Sequence, residues 1–306
     1  MSVSMNDNTA GLLPMLIIDD NRRYVEALFR DARRMGILLR HASSLEEGRE
    51  LFEGPDGAGF TGVILDVKCL RDRRQTVPDN SFIVAAIRYF GEKAPNLPMA
   101  AISGESDVLG NLAGLFEGTI RVYSKGRDEA EMLSMLLGQA RKLDRVRLRT
   151  SHARAFAICA SHLGNEAEEE LLSVLGSLGS SDLTEIKNSL GCLRRLQEKL
   201  YIALNRRDPS LVPTQMVAGE VNVVSAYKHL AESGVVERYR IIDRFAELVY
   251  KITSDCGAHT PYERHRYPPT TYTLATVVNA FLDLLLWFGG VMDSGRRELR
   301  SRPGDV

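Results

Sequence analysis

Five short strand-like segments, three of them built on apolar runs closed by a polar or charged residue, crowd into the first half of this 306-residue chain. The first is Met15-Leu16-Ile17-Ile18, closed by Asp19 and Asp20. A run without a polar position reads as a strand buried on both faces, as in a parallel sheet covered by helices. The other four are Ile37 to Ala42, Gly62 to Asp66, Leu97 to Ser103 and Thr119 to Tyr123, the last followed by Lys125. The segments between them carry helical spacing. In residues 21–34 the apolar positions are Tyr24, Val25, Leu28, Phe29 and Ala32. A second helix is predicted through Phe52, capped by Ser43 or Ser44. Two more are predicted over Ser81 to Phe90 and Asp107 to Phe116. Strand and helix in alternation give one α/β doubly wound, five-stranded parallel sheet.

In open sheets of this class, ligands bind beyond the carboxyl ends of the strands. Here those ends carry Asp19, Asp20, Asp66, Ser103 and Lys125. Adjacent carboxylates at a strand end repel each other at neutral pH unless a cation or a proton relieves them. A hard cation site is therefore expected at the end of the first strand.

Composition narrows the function classes. Lys plus Arg, 39, nearly balances Asp plus Glu, 40, so bulk charge gives no pointer to nucleic acid or anionic lipid. No apolar run reaches the roughly 18 residues of a membrane helix, so no membrane is expected. The polar first 13 residues lack the layout of a signal peptide and read as a disordered tail. Cys69, Cys159, Cys192 and Cys256 share no metal-ligand spacing, which fits a reducing cytoplasm.

From Asp128 onward the pattern is helical. One helix is predicted to run from Asp128 past Arg149, as far as His162, joining the two halves without a break. Its Arg141, Arg145, Arg149 and Arg154 make a candidate basic stripe, though a solvated face is the simpler account. Later helices are predicted over 165–178, 183–205, 216–232, 235–254 and 272–292. The last is the most apolar and suits the centre of an all-α bundle or a dimer face. The domain boundaries read as tail 1–13, α/β domain 14–145 and helical domain 146–306. No short basic recognition pair of helices is present.

The first domain resembles the receiver domain of two-component response regulators, a flavodoxin-like fold. The likeness lies in the ordered set: an acid pair, a strand-end aspartate, a strand-end serine followed by Gly104, and a strand-end lysine 22 residues after that serine. The resemblance implies that Asp66 is the phosphoacceptor. It implies that Asp19, Asp20, Asp66 and the backbone carbonyl of Lys68 hold Mg2+. Lys125 and Ser103 would then contact the phosphoryl group, and a sensor histidine kinase or a phosphotransfer protein would be the partner. Three departures stand out. The Asp66–Ser103 stretch is longer than usual, with a charged segment at 71–75. Val122 replaces the usual aromatic, with Tyr123 on the opposite face. Gly126 replaces a proline.

The helical domain carries no GGDEF, HD-GYP or kinase ATP-binding signature. Its Gly257-Ala258-His259 ending faintly resembles the HEPN superfamily, which includes ribonucleases. His259, with Asp255 and Lys251, would be the candidate residues, although the expected arginine is missing. A simpler account has His259 and Asp255 tying down a helix end. Three outputs are compatible with this half: protein interaction with homodimerisation, RNA cleavage, or RNA binding on the basic stripe.

Overall fold

The computed structural model describes residues 12–55, 57–104, 120–256 and 267–300, the last six by their backbone alone. The chain divides into two compact units, the first ending at Arg147 and the second beginning at Leu148.

The described elements of the first unit are β1 (Leu13–Ile18), α1 (Arg22–Arg34), β2 (Ile37–Ala42), α2 (Leu45–Glu53), β3 (Val63–Asp66), α3 (Ser81–Lys93), β4 (Met99–Ser103), β5 (Arg121–Ser124) and α4 (Glu129–Ala140). All strand pairs are parallel, and the order is β2-β1-β3-β4-β5. This is the flavodoxin-like doubly wound order, whose direction of growth reverses between β1 and β3. Side-chain alternation divides the core in two. Met15, Ile17, Ile64, Ile102 and Tyr123 face α1 and α4, where Val25, Leu28, Met132 and Leu133 pack. Leu16, Ile18, Val63, Leu65 and Ala101 face α2 and α3, where Leu45, Phe82, Ile83 and Phe90 pack. Full burial of each large apolar side chain contributes about 1.5–3 kcal/mol, and a one-residue slip would turn a whole strand inside out.

Local chemistry sets the element ends. Asn21 Oδ1 accepts from the Tyr24 amide at 3.2 Å and starts α1. Both candidate serines are used before α2: Ser44 Oγ accepts from the Glu47 amide, while the Glu47 carboxylate accepts from the Ser43 amide and hydroxyl. The tail expected over residues 1–13 ends sooner, because the Leu13 amide already donates to Gly36 O in the sheet. The helix predicted over 107–116 lies outside the described residues.

The long segment after β3 is strapped to α2. The amides of Leu45 and Glu46 donate to the carbonyls of Leu70 and Arg71, both at 3.0 Å. The Arg73 amide donates to Glu46 Oε2 at 3.0 Å. Gln75 accepts from the Arg71 amide and donates to Val77 O and Asp79 Oδ2.

The helix predicted to run unbroken from the first domain into the second is interrupted. After Ala140 the amides of Lys142 and Leu143 bond carbonyls three residues back, at 3.0 and 3.1 Å, which tightens the chain and ends the α-helical ladder. A new helix, α5 (Asp144–Ser151), begins with an acidic residue that suits a helix start. A further short helix, α6 (Ala153–Ile158), comes next, then a π-helical turn, Cys159–Leu163, ended by Gly164 at φ +89°.

The rest of the second unit is α7 (Asn165–Gly176), α8 (Leu183–Arg207), α9 (Val223–Glu232), α10 (Ile241–Cys256) and α11 (Thr271–Arg300). Leu171, Leu190, Leu193, Leu196, Val249, Leu274, Phe281, Leu285 and Phe288 share its core. Asp182 caps α8 by accepting from the amides of Thr184 and Glu185. Two helices start later than predicted. Thr214–Met216 forms a separate 3-10 turn, and Asn222 caps α9 instead. The α10 helix starts at Ile241 because residues 237–240 close a turn, with the Arg240 amide on Glu237 O. The last helix is longer than predicted. By length and composition, Thr271–Ser294 is apolar enough to cross a bilayer, but half of its apolar window is buried inside this unit.

Candidate functional site

The site forms where β1, β3 and β5 end. The Asp19 amide donates to Ala42 O, so this residue is still held by β2 when its side chain turns into the crevice. His41 Nε2 lies 2.7 Å from Asp19 O and holds the next peptide, between Asp19 and Asp20. Asp66 is the last residue of β3, and its Oδ1 accepts from the Val67 amide at 2.7 Å. The Lys125 amide donates to Ser103 O at 2.8 Å, fixing the lysine one step beyond β5.

These anchors bring three groups together. Lys125 Nζ lies 2.6 Å from Asp66 Oδ2 and 2.7 Å from Asp19 Oδ2. Asp19 is fully buried and Asp66 is 7% exposed. Asp20 is exposed, yet a carboxylate oxygen from each of Asp19, Asp20 and Asp66 falls within 4.8 Å of the other two. Asp19 Oδ1 accepts from the Asn21 amide at 2.8 Å. Asp19 Oδ2 is buried and receives no aligned hydrogen-bond donor. The ammonium at 2.7 Å meets it as a charge, outside hydrogen-bond alignment.

Electrostatics follow from burial and crowding. Burial, and then the neighbouring Asp19 charge, push the Asp66 carboxyl up to about 6, against the pull of Lys125. Burial works against the Lys125 ammonium, but Asp66 and Asp19 outweigh it and raise its pKa. With all groups ionised the cluster is three carboxylates and one ammonium. The donor set is hard oxygen from three carboxylates, and the surplus charge is negative. These features fit a divalent cation of the magnesium class held by Asp19, Asp20 and Asp66.

Two contributing residues give no clear signal in the sequence. The Tyr24 ring lies under Lys125, with Nζ 4.7 Å from its centroid, and its hydroxyl donates to Glu129 Oε1 at 3.2 Å. Burial and Glu129 raise the Tyr24 pKa, so the phenol stays protonated. Glu129 Oε1 also accepts from the Gly126 amide. In the sequence Tyr24 is one more apolar position on α1, and only its place three residues past the Asn21 cap hints at the site.

The other candidates are spread around this centre. Ser103 is buried at the end of β4, in register with Ser124 of β5. Lys68 sits in the bend just after β3. A Cβ on Gly104 would lie 3.8 Å from Lys125 Cδ, an ordinary van der Waals contact with the lysine stem. Gly126 adopts φ +81°, which a proline cannot reach. Tyr123 is buried against α1 and α4, and Val122 packs on the other face of the sheet.

In the second unit, Lys251 is exposed and paired with Glu247 at 2.7 Å, and Asp255 is exposed near the end of α10. His259 lies outside the described residues. Of the basic stripe, Arg149 is neutralised by Glu168 and Glu169, and Arg145 donates to Ala58 O. Arg154 lines a cavity of about 440 Å³ with Ser161, His162 and Asp293.

No protein-family model and no curated protein matches the sequence. Solved structures do. A response regulator receiver domain from Clostridium thermocellum is 18% identical, covers 43% of this chain and 96% of its own, and gives a TM-score of 0.34. A receiver domain protein from Methanospirillum hungatei JF-1 is 16% identical over 42% of this chain and 94% of its own, with a TM-score of 0.33. A structure described as an adenylate cyclase from Rhodopirellula baltica is 14% identical over 47% of this chain and 98% of its own, with a TM-score of 0.34. The strand order, with aspartates closing β1 and β3 and a lysine after β5, fixes the architecture. The first unit has the flavodoxin-like doubly wound fold. The second unit is helical.

Proposed function

We propose that this protein is a response regulator that takes a phosphoryl group on Asp66 and uses its helical unit as output. The observation that carries the reading is the buried contact of Lys125 with both Asp66 and Asp19 beside exposed Asp20. The histidine kinase or phosphotransfer partner is part of the same proposal.

The chemistry is phosphoryl transfer. An ionised Asp66 oxygen attacks phosphorus, the new O–P bond forms, and the bond from phosphorus to the donor's leaving atom breaks. Magnesium, when bound, neutralises charge on the transferring oxygens. Asp19 and Asp20, with the carbonyl of Lys68, are the groups to hold it. Lys125 lies within contact of Asp66 Oδ2, so a short shift takes its ammonium onto the new phosphoryl oxygens. Ser103, at the neighbouring strand end, is the hydroxyl to bond one of them. Above pH 6 Asp66 is largely the carboxylate, the form required for attack.

For the output we favour protein interaction or self-association through the helical unit, on surfaces outside the apolar helix Thr271–Ser294, whose large side chains fill that unit's own core. The test of the receiver assignment is phosphorylation with acetyl phosphate and magnesium, followed by intact mass. The parent chain is expected to gain one phosphoryl group and Asp66→Asn none. Equal uptake by the variant refutes the assignment.

A further inference from the structure

Among the described residues, Tyr239 is the one non-glycine residue with a positive φ, at 63°. It occupies the third position of the turn 237–240, closed by the Arg240 amide on Glu237 O at 3.1 Å. Glycine is the residue that such a turn position favours, and a bulky side chain there carries steric strain. The strain is not repaid by burial, since Tyr239 is 62% exposed. The Tyr239 amide donates to Asp243 Oδ2 at 2.7 Å, and Val236, just before the turn, is buried in the core. So the backbone is held firmly in a conformation that presents an aromatic ring to solvent.

Two guanidinium groups lie over the ring, which stays largely exposed. Those of Arg238 and Arg244 lie 5.0 and 5.3 Å from its centroid. Arg240 is the next residue in the turn, and Ile241, 66% exposed, completes the patch. Three acids nearby match the three arginines in number, and Lys251 adds one further cation. Glu237 lies 4.0 Å from Arg240 with both side chains more than three-quarters exposed. One oxygen of Asp243 is committed to the Tyr239 amide. Glu247 is shared between Arg244 at 3.4 Å and Lys251 at 2.7 Å. No carboxylate of a described residue is ion-paired with Arg238.

We infer that the turn Glu237–Arg240 and the start of α10 form a binding platform for single-stranded nucleic acid. A base stacks on the Tyr239 ring, and Arg238, Arg240 and Arg244 meet the phosphates. Aromatic stacking flanked by cations is the recurring chemistry of single-strand binding, and it tolerates any base because every base has a π face. Backbone strain held at an exposed aromatic is the mark of a residue retained for contact and not for packing. The platform lies wholly in the helical unit and stands apart from the receiver reading.

The experiment is fluorescence anisotropy of the full chain with labelled oligouridylate and oligodeoxythymidylate of about 12 nucleotides, at about 50 and 150 mM salt. The parent is expected to bind at least one of them, more weakly at the higher salt. Tyr239→Gly is expected to lower affinity about tenfold while its unfolding midpoint stays level or rises, because glycine removes the strain. Arg238→Ala is expected to reduce the salt slope by about one. Tyr272→Ala, which removes another exposed tyrosine, is the control and should bind like the parent. The inference is overturned if the parent binds neither oligonucleotide, if Tyr239→Gly binds as tightly as the parent, or if Tyr272→Ala is equally impaired. It is also overturned if Tyr239→Gly lowers the unfolding midpoint, which would make the ring structural. Self-association that Tyr239→Gly abolishes, with both oligonucleotides ignored, would assign the patch to protein and overturn it as well.

Discussion

Replacing Asp66 with asparagine is expected to stabilise the receiver unit at pH 8 and to change it little at pH 4. In the folded chain the Asp66 carboxyl titrates near 6, raised from an ordinary value of 3.8 by burial and by Asp19. Where the folded state holds a proton that the unfolded state has released, stability falls as pH rises, so the loss develops between 3.8 and 6 and then levels off. At about 1.4 kcal/mol per pH unit, the full difference is about 3 kcal/mol. Asparagine removes that cost but leaves Lys125 with Asp19 as its remaining carboxylate partner, so a net gain of about 1–2 kcal/mol is expected. Below pH 3.8 the aspartate is protonated in both states and the advantage disappears. The assay must read the receiver unit by itself, because the one tryptophan, Trp287, lies in the helical unit. Amide hydrogen exchange of β1 and β3 in chelator-treated protein meets that need. An asparagine variant that is less stable at pH 8, or a gain that persists unchanged at pH 4, would refute the electrostatic reasoning.

The same geometry leads to three further outcomes. In chelator-treated protein the Asp66 carboxyl should titrate near 6 in a carboxylate NMR titration, held up by burial and Asp19, and magnesium should move it down; a metal-free titration at the ordinary 3.8 would contradict this. Tyr24→Phe should cost about 1 kcal/mol through loss of the Glu129 hydrogen bond and should speed exchange in the first turn of α4, read by hydrogen exchange. Arg73→Ala breaks the Arg73–Glu50 ion pair; both side chains are more than half exposed, so global stability should move by less than about 1 kcal/mol. Exchange in residues 69–75 should still rise, as limited proteolysis of that strap would also report.

The sheet was legible in the sequence because fully buried parallel strands need apolar runs. Met15 to Ile18 and Val63 to Leu65 have no other simple reading. The site was legible for a related reason: Asp19, Asp66 and Lys125 stand at the points where those runs stop, and parallel strands bring such points to one edge. Tyr24 was hidden because its two roles, packing on α1 and meeting Lys125, leave the same trace in a helical pattern. The break after Ala140 was hidden as well, since Arg141, Lys142 and Leu143 are all good helix formers and the turn arises from hydrogen bonds to carbonyls three residues back. Tyr239 gave no sign of its positive φ, because turn rules built on glycine and asparagine pass over a tyrosine. Helix starts in the second unit slipped by several residues wherever a turn preceded a good cap, as at Asn222.

The most direct measurement of the central claim is the location of the phosphoryl group. Phosphorylated protein reduced with borohydride carries a permanent mark at the modified aspartate, which peptide sequencing by mass spectrometry can place. The account predicts the mark at Asp66, and none in its Lys125→Ala variant under the same brief exposure. A mark at Asp19 or Asp20, or none anywhere in the parent chain, would contradict it.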